Sequence, residues 1–345
     1  MTKTGKPADG PSQSGGRATL KTIAQMTGLS LSTVSLSLRG GSTLKEETRL
    51  KVAEAARAVG YVPDRAGVRL RTGKTNVIAL VLDGAEDSIN YASHLIRGIG
   101  NAIAGTRYHL TVMPEFERTD TVETIKYILD GRTADGVIIT HTSPRDRRVQ
   151  LLLDADFPFV SHGRTDFFDP HPFHDYHSEA FVTLGVARLV ARGCRRLMLI
   201  AHDDRTSNHH NIVTTFMREA AKAGLDAEVV EGRIAGGEVP QMRDFGQQLG
   251  RRDNRPDGIL CDSELRAIAL ISGLQDQGVM LGAGVEVISK ETSGMLAALF
   301  PKADSIEEDV YAAGRELTRL LMLRISGEDP QKLQTLGEPI PRWRS

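Results

Sequence analysis

Apolar residues at helical spacing predict three short helices near the start of the chain, each with its own boundary signals. The helices are expected at residues 20–27, capped by Thr19 and ended by Gly28, at residues 31–38, capped by Ser30, and at residues 46–59. A turn of only about three residues joins the first two helices, which therefore pack closely. The third helix supplies enough apolar side chains to close a small core.

Beyond residue 76 the pattern changes to short apolar runs that alternate with helical stretches. The runs fall at residues 77–82, 108–113, 136–140, 157–161, 196–201, 228–231, 258–261 and 284–289. Strands and helices that alternate at this pitch form parallel sheets covered by helices on both faces. Two such series, of four or five strands each, predict two doubly wound α/β lobes, with a ligand cleft where the carboxyl ends of the strands face each other.

These patterns divide the chain into four parts. We expect a disordered tail at residues 1–18, a three-helix domain at 19–63, a short basic helical segment and linker at 64–76, and a two-lobed body at 77–345. The predicted fold class is thus an α-helical head followed by an α/β body.

Composition excludes several classes of protein. No apolar run approaches the roughly 20 residues that span a bilayer, and the first eighteen residues lack a secretory signal. Cys194 and Cys261 each lie in an apolar segment, as expected for buried thiols in the reducing cytoplasm. No cofactor motif and no structural metal framework is evident, so none is expected.

Charge is distributed unevenly along the chain. The formal net charge is -1, but residues 1–75 hold 13 Lys and Arg against 5 Asp and Glu, a net charge of +8. A basic end of this kind either contacts phosphates or is simply a solvated tail. The helical pattern favours phosphate contact.

Four segments together resemble the LacI/GalR family of transcriptional regulators. They are TLKTIAQMTGLSLSTVS at 19–35, EETR at 46–49, GYVP at 60–63 and LRTG at 70–73. The resemblance implies a helix-turn-helix, a hinge helix and a body like a periplasmic sugar-binding protein. It also implies a homodimer or a dimer of dimers, a near-palindromic double-stranded operator and a small effector, commonly a sugar. Repression of transcription is the expected activity.

The resemblance assigns the DNA contacts. Leu31, Ser32 and Leu36 match base-reading positions in the recognition helix, which ends at Arg39, and Leu70 matches the hinge leucine, which Arg65, Arg69 and Arg71 flank. Thr33 and Ser35 would anchor phosphates, or else hydrogen-bond to the backbone of their own helix. Leucines cannot hydrogen-bond to bases, so Leu31 and Leu36 would read thymine methyl groups or DNA shape, unless they pack in the core. Leu70 would wedge into the minor groove or pack as a linker residue.

The resemblance also indicates effector contacts at strand ends in the body. The candidates are Asp83, Tyr91, Arg164, Asp175, Glu264 and Glu291. Arg164 would bind hydroxyls or a carboxylate with its fork of donors, or else pair with Asp166. Asp175 lies near the position of an Asp-Asn pair in the family, but His177-Ser178 matches that position equally well. In the second lobe Ser263-Glu264 and Glu291 replace Asn-Asp and Asp, so the family's ligand does not transfer with them.

Three further interpretations remain open. His171, His174 and His177 are spaced by three, which can gather imidazoles on a metal, although Pro170 and Pro172 oppose a helix there. A two-lobed body can also be an enzyme, such as a metal-assisted hydrolase, or a solute-binding protein. The enzyme interpretation lacks a catalytic motif, and both leave the basic head unexplained.

Overall fold

The computed structural model describes residues 18–39, 44–61, 69, 72–83, 89–115, 121–202, 206–230 and 239–344. The chain divides into two compact units, residues 1–75 and 76–345. The predicted tail, apart from residue 18, and most of the predicted hinge helix lie outside the described residues. No helix in the described part combines the length and apolar character needed to cross a bilayer.

The first unit contains α1 (Leu20–Thr27), α2 (Leu31–Leu38) and α3 (Glu46–Ala58). Ile23, Val34 and Val52 contribute one buried side chain from each helix, and they form the core together with Ala56. Gly28 ends α1 in the left-handed conformation, at φ 68°, which a residue without Cβ adopts at no steric cost. The tight turn that follows sets α2 against α1.

The second unit alternates strands with helices. In chain order the strands are β1 (Val77–Asp83), β2 (His109–Glu115), β3 (Gly136–Thr140), β4 (Phe159–His162), β5 (Phe173–Tyr176), β6 (Arg196–Ile200), β7 (Asp226–Val230), β8 (Gly258–Cys261), β9 (Glu286–Glu291), β10 (Asp304–Glu307), β11 (Gln334–Gly337) and β12 (Ile340–Arg342). The α-helices are α4 (Ile89–Ile103), α5 (Thr121–Gly131), α6 (Arg147–Asp154), α7 (Ser178–Ala191), α8 (Ser207–Lys222), α9 (Val239–Gly250), α10 (Glu264–Gln275), α11 (Met295–Leu299) and α12 (Val310–Ile325).

The strands form two six-stranded sheets, in the orders β11-β5-β4-β3-β1-β2 and β12-β10-β9-β8-β6-β7. Every pairing is parallel except that of β12 with β10. Successive residues of β1 alternate between the cores on its two faces: Ile78 and Leu80 lie in one, Ala79 and Val81 in the other. In β6, likewise, Met198 and Ile200 lie in one core and Leu197 and Leu199 in the other, so each sheet is buried on both faces, which confirms the two α/β lobes.

The chain passes between the lobes three times: after β5, between β10 and α12, and between β11 and β12. These passages explain why each sheet has six strands rather than four or five. Strands β5 and β10 are short and rich in polar residues, and β11 and β12 return to the two sheets from the end of the chain. Apolar runs therefore do not reveal them.

Helices α4 and α12 pack directly against each other in the first lobe, at a crossing that two glycines make possible. A Cβ on Gly98 would collide with the backbone carbonyl of Tyr311, and a Cβ on Gly314 would lie 2.5 Å from the carbonyl oxygen of Leu95. No larger side chain fits at either position unless the helices separate.

Candidate nucleic-acid interface and ligand cleft

The start of α2 is fixed by Ser30, whose Oγ accepts a hydrogen bond from the backbone N–H of Thr33 at 3.1 Å. The same Oγ lies 2.8 Å from both the Ser32 and Thr33 hydroxyls. At the other end, Arg39 Nε donates to the carbonyl oxygen of Ser35 at 2.9 Å. Local hydrogen bonds thus define a compact eight-residue helix of the size that enters a major groove.

The outer face of this unit is apolar as well as polar. Leu31 is 51% exposed and Met26, in α1, is 53% exposed, so Leu31 does not contribute to the core. Leu36 is half-buried, as are Thr33 and Ser35, whereas Ser32 and Arg39 are exposed. An exposed leucine at the first turn of α2 offers apolar contact, the interaction that a thymine methyl group accepts.

Arg69 is exposed. Arg65, Leu70 and Arg71 lie outside the described residues. Their predicted contacts with DNA, like those of α2, remain predictions.

In the second unit a cavity of about 170 Å³ lies between the two lobes. The first lobe contributes Asn90, Tyr91, His141, Thr142, His162, Gly163, Asp175 and Tyr176, the second contributes His202, Thr206, Asn208, Asp262, Ser263, Glu264, Leu265, Lys290 and Thr292, and Glu308 lies at a passage between them. Most of these residues occupy or directly follow the carboxyl ends of parallel strands, where this architecture binds ligands. The predicted cleft therefore has polar groups from both lobes on its wall.

His162 and Tyr91 form the centre of the first-lobe wall. Their rings are stacked with centroids 5.6 Å apart, and the Tyr91 hydroxyl is hydrogen-bonded to His162 Nδ1. Burial lowers the pKa of His162 to about 3 and raises that of Tyr91 well above its ordinary value. The imidazole is therefore neutral, and its Nδ1 accepts a hydrogen bond from the Tyr91 hydroxyl. Its Nε2 then faces the Glu308 carboxylate, with Oε1 4.0 Å away.

His141 enters the cleft from the residue after β3, with φ 53° in the left-handed region. Its backbone is held by the buried Arg148, whose Nη2 donates to the carbonyl oxygens of Thr140 and His141 at 3.0 and 3.1 Å. Arg148 in turn pairs with Glu115 and Asp146, each at 2.8 Å. This buried network fixes the loop that carries His141 and Thr142 onto the cleft wall.

Two predicted effector residues of the first lobe, Tyr91 and Asp175, line the cleft, whereas Arg164 is absent from its described wall. The Arg164 guanidinium binds Asp175 at 2.6 Å and Glu179 at 2.8 Å, rather than the predicted alternative partner Asp166. Arg164 thus lies behind a cleft carboxylate. Asp83 ends β1, and its side chain lies outside the described structure.

In the second lobe Glu264 lines the cleft, but its carboxylate is already bound by the chain. It accepts hydrogen bonds from the backbone N–H groups of Thr292, Ser293 and Leu296 and from the Ser293 hydroxyl, at 2.9 to 3.2 Å. Glu291 is buried outside the cleft wall and accepts from the Ala297 N–H at 3.2 Å. Both side chains order the loop before α11, so neither presents a free carboxylate to the cleft.

The three histidines of the possible metal site do not converge. His171 contacts the Ser161 hydroxyl at 3.1 Å, His174 contacts the Thr335 hydroxyl at 2.9 Å, and His177 lies 3.3 Å from the Glu338 carboxylate. Among the described residues there is no group of three or more His, Cys, Asp or Glu side chains that could hold a metal ion.

Several cleft residues were absent from the sequence prediction: His141, His162, His202, Asp262, Lys290 and Glu308. Lys290 Nζ lies 3.0 Å from Glu308, and the charge of Lys290 holds the Glu308 pKa below its ordinary value although burial raises it. A usable signal was present, because His141 and Asp262 each follow an apolar run directly. Polar residues at such positions of a parallel sheet reach the ligand edge.

A three-helix unit with a helix-turn-helix, followed by a two-lobed α/β body, is typical of a class of transcriptional regulators. Residues 19–64 match the model for bacterial regulatory proteins of the lacI family, and residues 186–344 match the periplasmic binding protein-like domain. The chain belongs to the LacI/GalR family of transcriptional regulators.

Relatives and solved structures are similar to this chain over nearly its whole length. The regulator AglR of Rhizobium meliloti is 27% identical, with 94% of this chain and 93% of AglR covered, and RafR of Escherichia coli is 28% identical, with 93% and 96% covered. The lac repressor dimer bound to operator and an anti-inducer superposes with a TM-score of 0.80 at 18% identity, over 95% of this chain and 98% of that one. A complex of the regulator CelR with cellobiose gives a TM-score of 0.69 at 22% identity, over 95% and 99%.

Proposed function

We propose that this regulator represses transcription by binding a near-palindromic operator as a homodimer, and that a small sugar-like effector in the lobe cleft controls its affinity for DNA. The α2 residues Leu31, Ser32 and Leu36 face base edges, while Thr33, Ser35 and Arg39 bind phosphates. The regulator works in the cytoplasm, where its operator lies, and performs no catalysis.

One observation carries the effector proposal: both lobes supply polar groups to the same cavity. Tyr91, His141 and Asp175 approach from one side, and His202 and Asp262 from the other. A ligand that contacts both walls binds more tightly when the lobes are closed. It therefore shifts the lobe equilibrium by the difference between its affinities for the two states.

The effector signal passes through the chain segments between the lobes. Glu308 lines the cleft and lies immediately before Asp309, the N-cap of α12. Closure of the lobes moves this segment and the α4–α12 pair, and in a homodimer it changes the spacing of the two helix-turn-helix units. The complex of CelR with cellobiose and the lac repressor dimer bound to its operator have folds similar to that of this chain, and they support this proposal.

The direct test is binding of the full chain to fluorescent duplexes from the region upstream of its own gene, across a series of salt concentrations. We expect a steep fall of affinity with salt, because a dimer that neutralises several phosphates releases their counterions. A flat salt response, or indifference to every upstream duplex, contradicts the proposal. A thermal-shift screen of sugars, followed by addition of each hit to the protein–DNA complex, tests effector control.

A further inference from the structure

Asp262 occupies the position directly after β8 and lines the cleft with only 8% of its surface exposed. Its Oδ2 accepts a hydrogen bond from the backbone N–H of His202 at 2.8 Å. Its Oδ1 is buried and has no hydrogen-bond donor among the described residues. A buried polar atom is normally paired, so this oxygen is an acceptor prepared for a donor from outside the chain.

Each of the other cleft carboxylates already has a partner within the chain. Asp175 is bound by Arg164 at 2.6 Å, Glu308 by Lys290 at 3.0 Å, and Glu264 by the backbone before α11. Among the carboxylate oxygens of the described wall, Asp262 Oδ1 is the one that is fully buried and has no hydrogen-bond donor.

Acidic groups outnumber basic ones on this wall. Four carboxylates line the described cavity, on Asp175, Asp262, Glu264 and Glu308, against a single Lys or Arg side chain, that of Lys290. Burial raises the pKa of Asp262, and the charges of Lys290 and Arg266 lower it to a lesser extent. An anionic ligand here would face these carboxylates at short range, where repulsion is poorly screened.

We infer that the effector donates a hydrogen bond from a hydroxyl or ammonium group to Asp262 Oδ1, and that its class is a neutral or aminated sugar rather than a sugar acid or sugar phosphate. This inference rests on the proposed role of the cleft as the effector site. An ammonium group forms the stronger, charge-assisted bond, and a hydroxyl satisfies the same oxygen.

The experiment compares matched ligands by titration calorimetry with the full chain. The probes are glucose, galactose, mannose and their disaccharides, the corresponding 2-amino sugars, and the corresponding uronic acids and 6-phosphates. We expect binding by a neutral or aminated member, with its acid or phosphate counterpart at least tenfold weaker. An anion that binds as tightly as its neutral parent overturns the inference, and so does a lack of binding by every neutral and aminated probe.

The variant Asp262→Asn tests the residue itself. An asparagine amide can still accept from the His202 N–H, but it places an N–H donor where Oδ1 was. We expect a loss of at least tenfold for the bound neutral or aminated sugar, with the aminated sugar affected more, and a gain for the anions. The matched control is Asp253→Asn, an exposed carboxylate of the second lobe that does not line the cleft.

Unchanged affinity in a folded Asp262→Asn protein overturns the inference. If the variant does not fold, the affinity of the unaltered chain for singly deoxygenated versions of the bound sugar is measured instead. Removal of the hydroxyl that donates to Asp262 must weaken binding at least tenfold. Operator binding is measured in parallel. A chain that binds its operator and is released by a sugar acid keeps the proposed function and loses this inference, whereas a chain that binds neither DNA nor ligand loses both.

Discussion

Lys290 Nζ and Glu308 Oε2 form a 3.0 Å ion pair in the cleft, with the carboxylate side chain only 6% exposed. Lys290 belongs to β9 of the second lobe, and Glu308 lies where the chain passes back to the first lobe. The pair therefore links the second lobe to the chain segment that returns to the first lobe.

Replacing Lys290 with Met leaves Glu308 buried without its cation. Loss of one partner from a buried pair costs about 3–5 kcal/mol, so we expect the free energy of unfolding of the body to fall by roughly this amount. Urea unfolding measures it. The double variant Lys290→Met, Glu308→Gln removes both charges and should recover most of the loss. Equal destabilisation by the single and double variants would contradict this account.

Neutral His162 predicts a specific acid sensitivity. Burial, the largest cause, lowers its folded pKa to about 3 from 6.5, so the unfolded chain binds the additional proton between these values. Stability from this residue is complete above pH 6.5 and is lost progressively toward pH 3. We expect His162→Gln to flatten the dependence of unfolding free energy on pH by about 1 kcal/mol per pH unit between pH 6 and 5.

Chemical unfolding at a series of pH values checks this prediction. The control is His210→Gln, an exposed histidine of α8, which should retain the acid sensitivity of the unaltered chain. A His162→Gln profile parallel to that of the control would show that His162 is not the source.

Arg164 is predicted to act on the effector through Asp175. Its guanidinium holds that cleft carboxylate at 2.6 Å, so Arg164→Ala should weaken effector binding about tenfold or more, as expected when a charge-assisted hydrogen bond is lost. Operator affinity without effector should be unchanged. Asp175→Asn should reproduce the loss, whereas Glu179→Gln, which removes the other partner of Arg164, should have a small effect. Calorimetry with the sugar identified by screening measures the effector affinity of each variant. Unchanged effector affinity in Arg164→Ala contradicts the prediction.

Leu31 predicts methyl-dependent recognition of DNA. Replacing thymine with uracil at the base that Leu31 contacts removes the C5-methyl group and should lower affinity about fourfold, since a buried methyl-sized group is worth about 0.8 kcal/mol. Leu31→Ala should lower affinity for the thymine operator and respond little to the uracil exchange. Fluorescence anisotropy with both duplexes measures the four affinities.

Leu50→Ala is the control, because Leu50 is 55% exposed but lies on α3. It should show the same thymine preference as the unaltered chain. A Leu31→Ala protein that still discriminates fully between thymine and uracil would indicate a different methyl contact.

The elements with local signals could be predicted from the sequence. The caps Thr19 and Ser30 form the expected hydrogen bonds, and the apolar runs of β1, β3 and β8 lie near the predicted positions. The cleft was only partly predictable. Tyr91 and Asp175 reach it as predicted. Lys290 and Glu308 come together only because β9 and β10 pair in parallel, and this pairing depends on the tertiary fold rather than on any single segment of the sequence. Helical spacing did not determine whether Leu31 is exposed or packs in the core. Its exposure depends on how the three helices pack around their common core.

The crossing of α4 and α12 at Gly98 and Gly314 limits how the first lobe responds to such changes. Because the backbones of the two helices are in direct contact, they cannot slide past each other without a collision. The two helices are therefore expected to move together. A shift that begins at Glu308 is therefore expected to reach the helix that holds Tyr91, and an alanine at either crossing point, which would force the helices apart, should weaken that coupling without contacting any ligand.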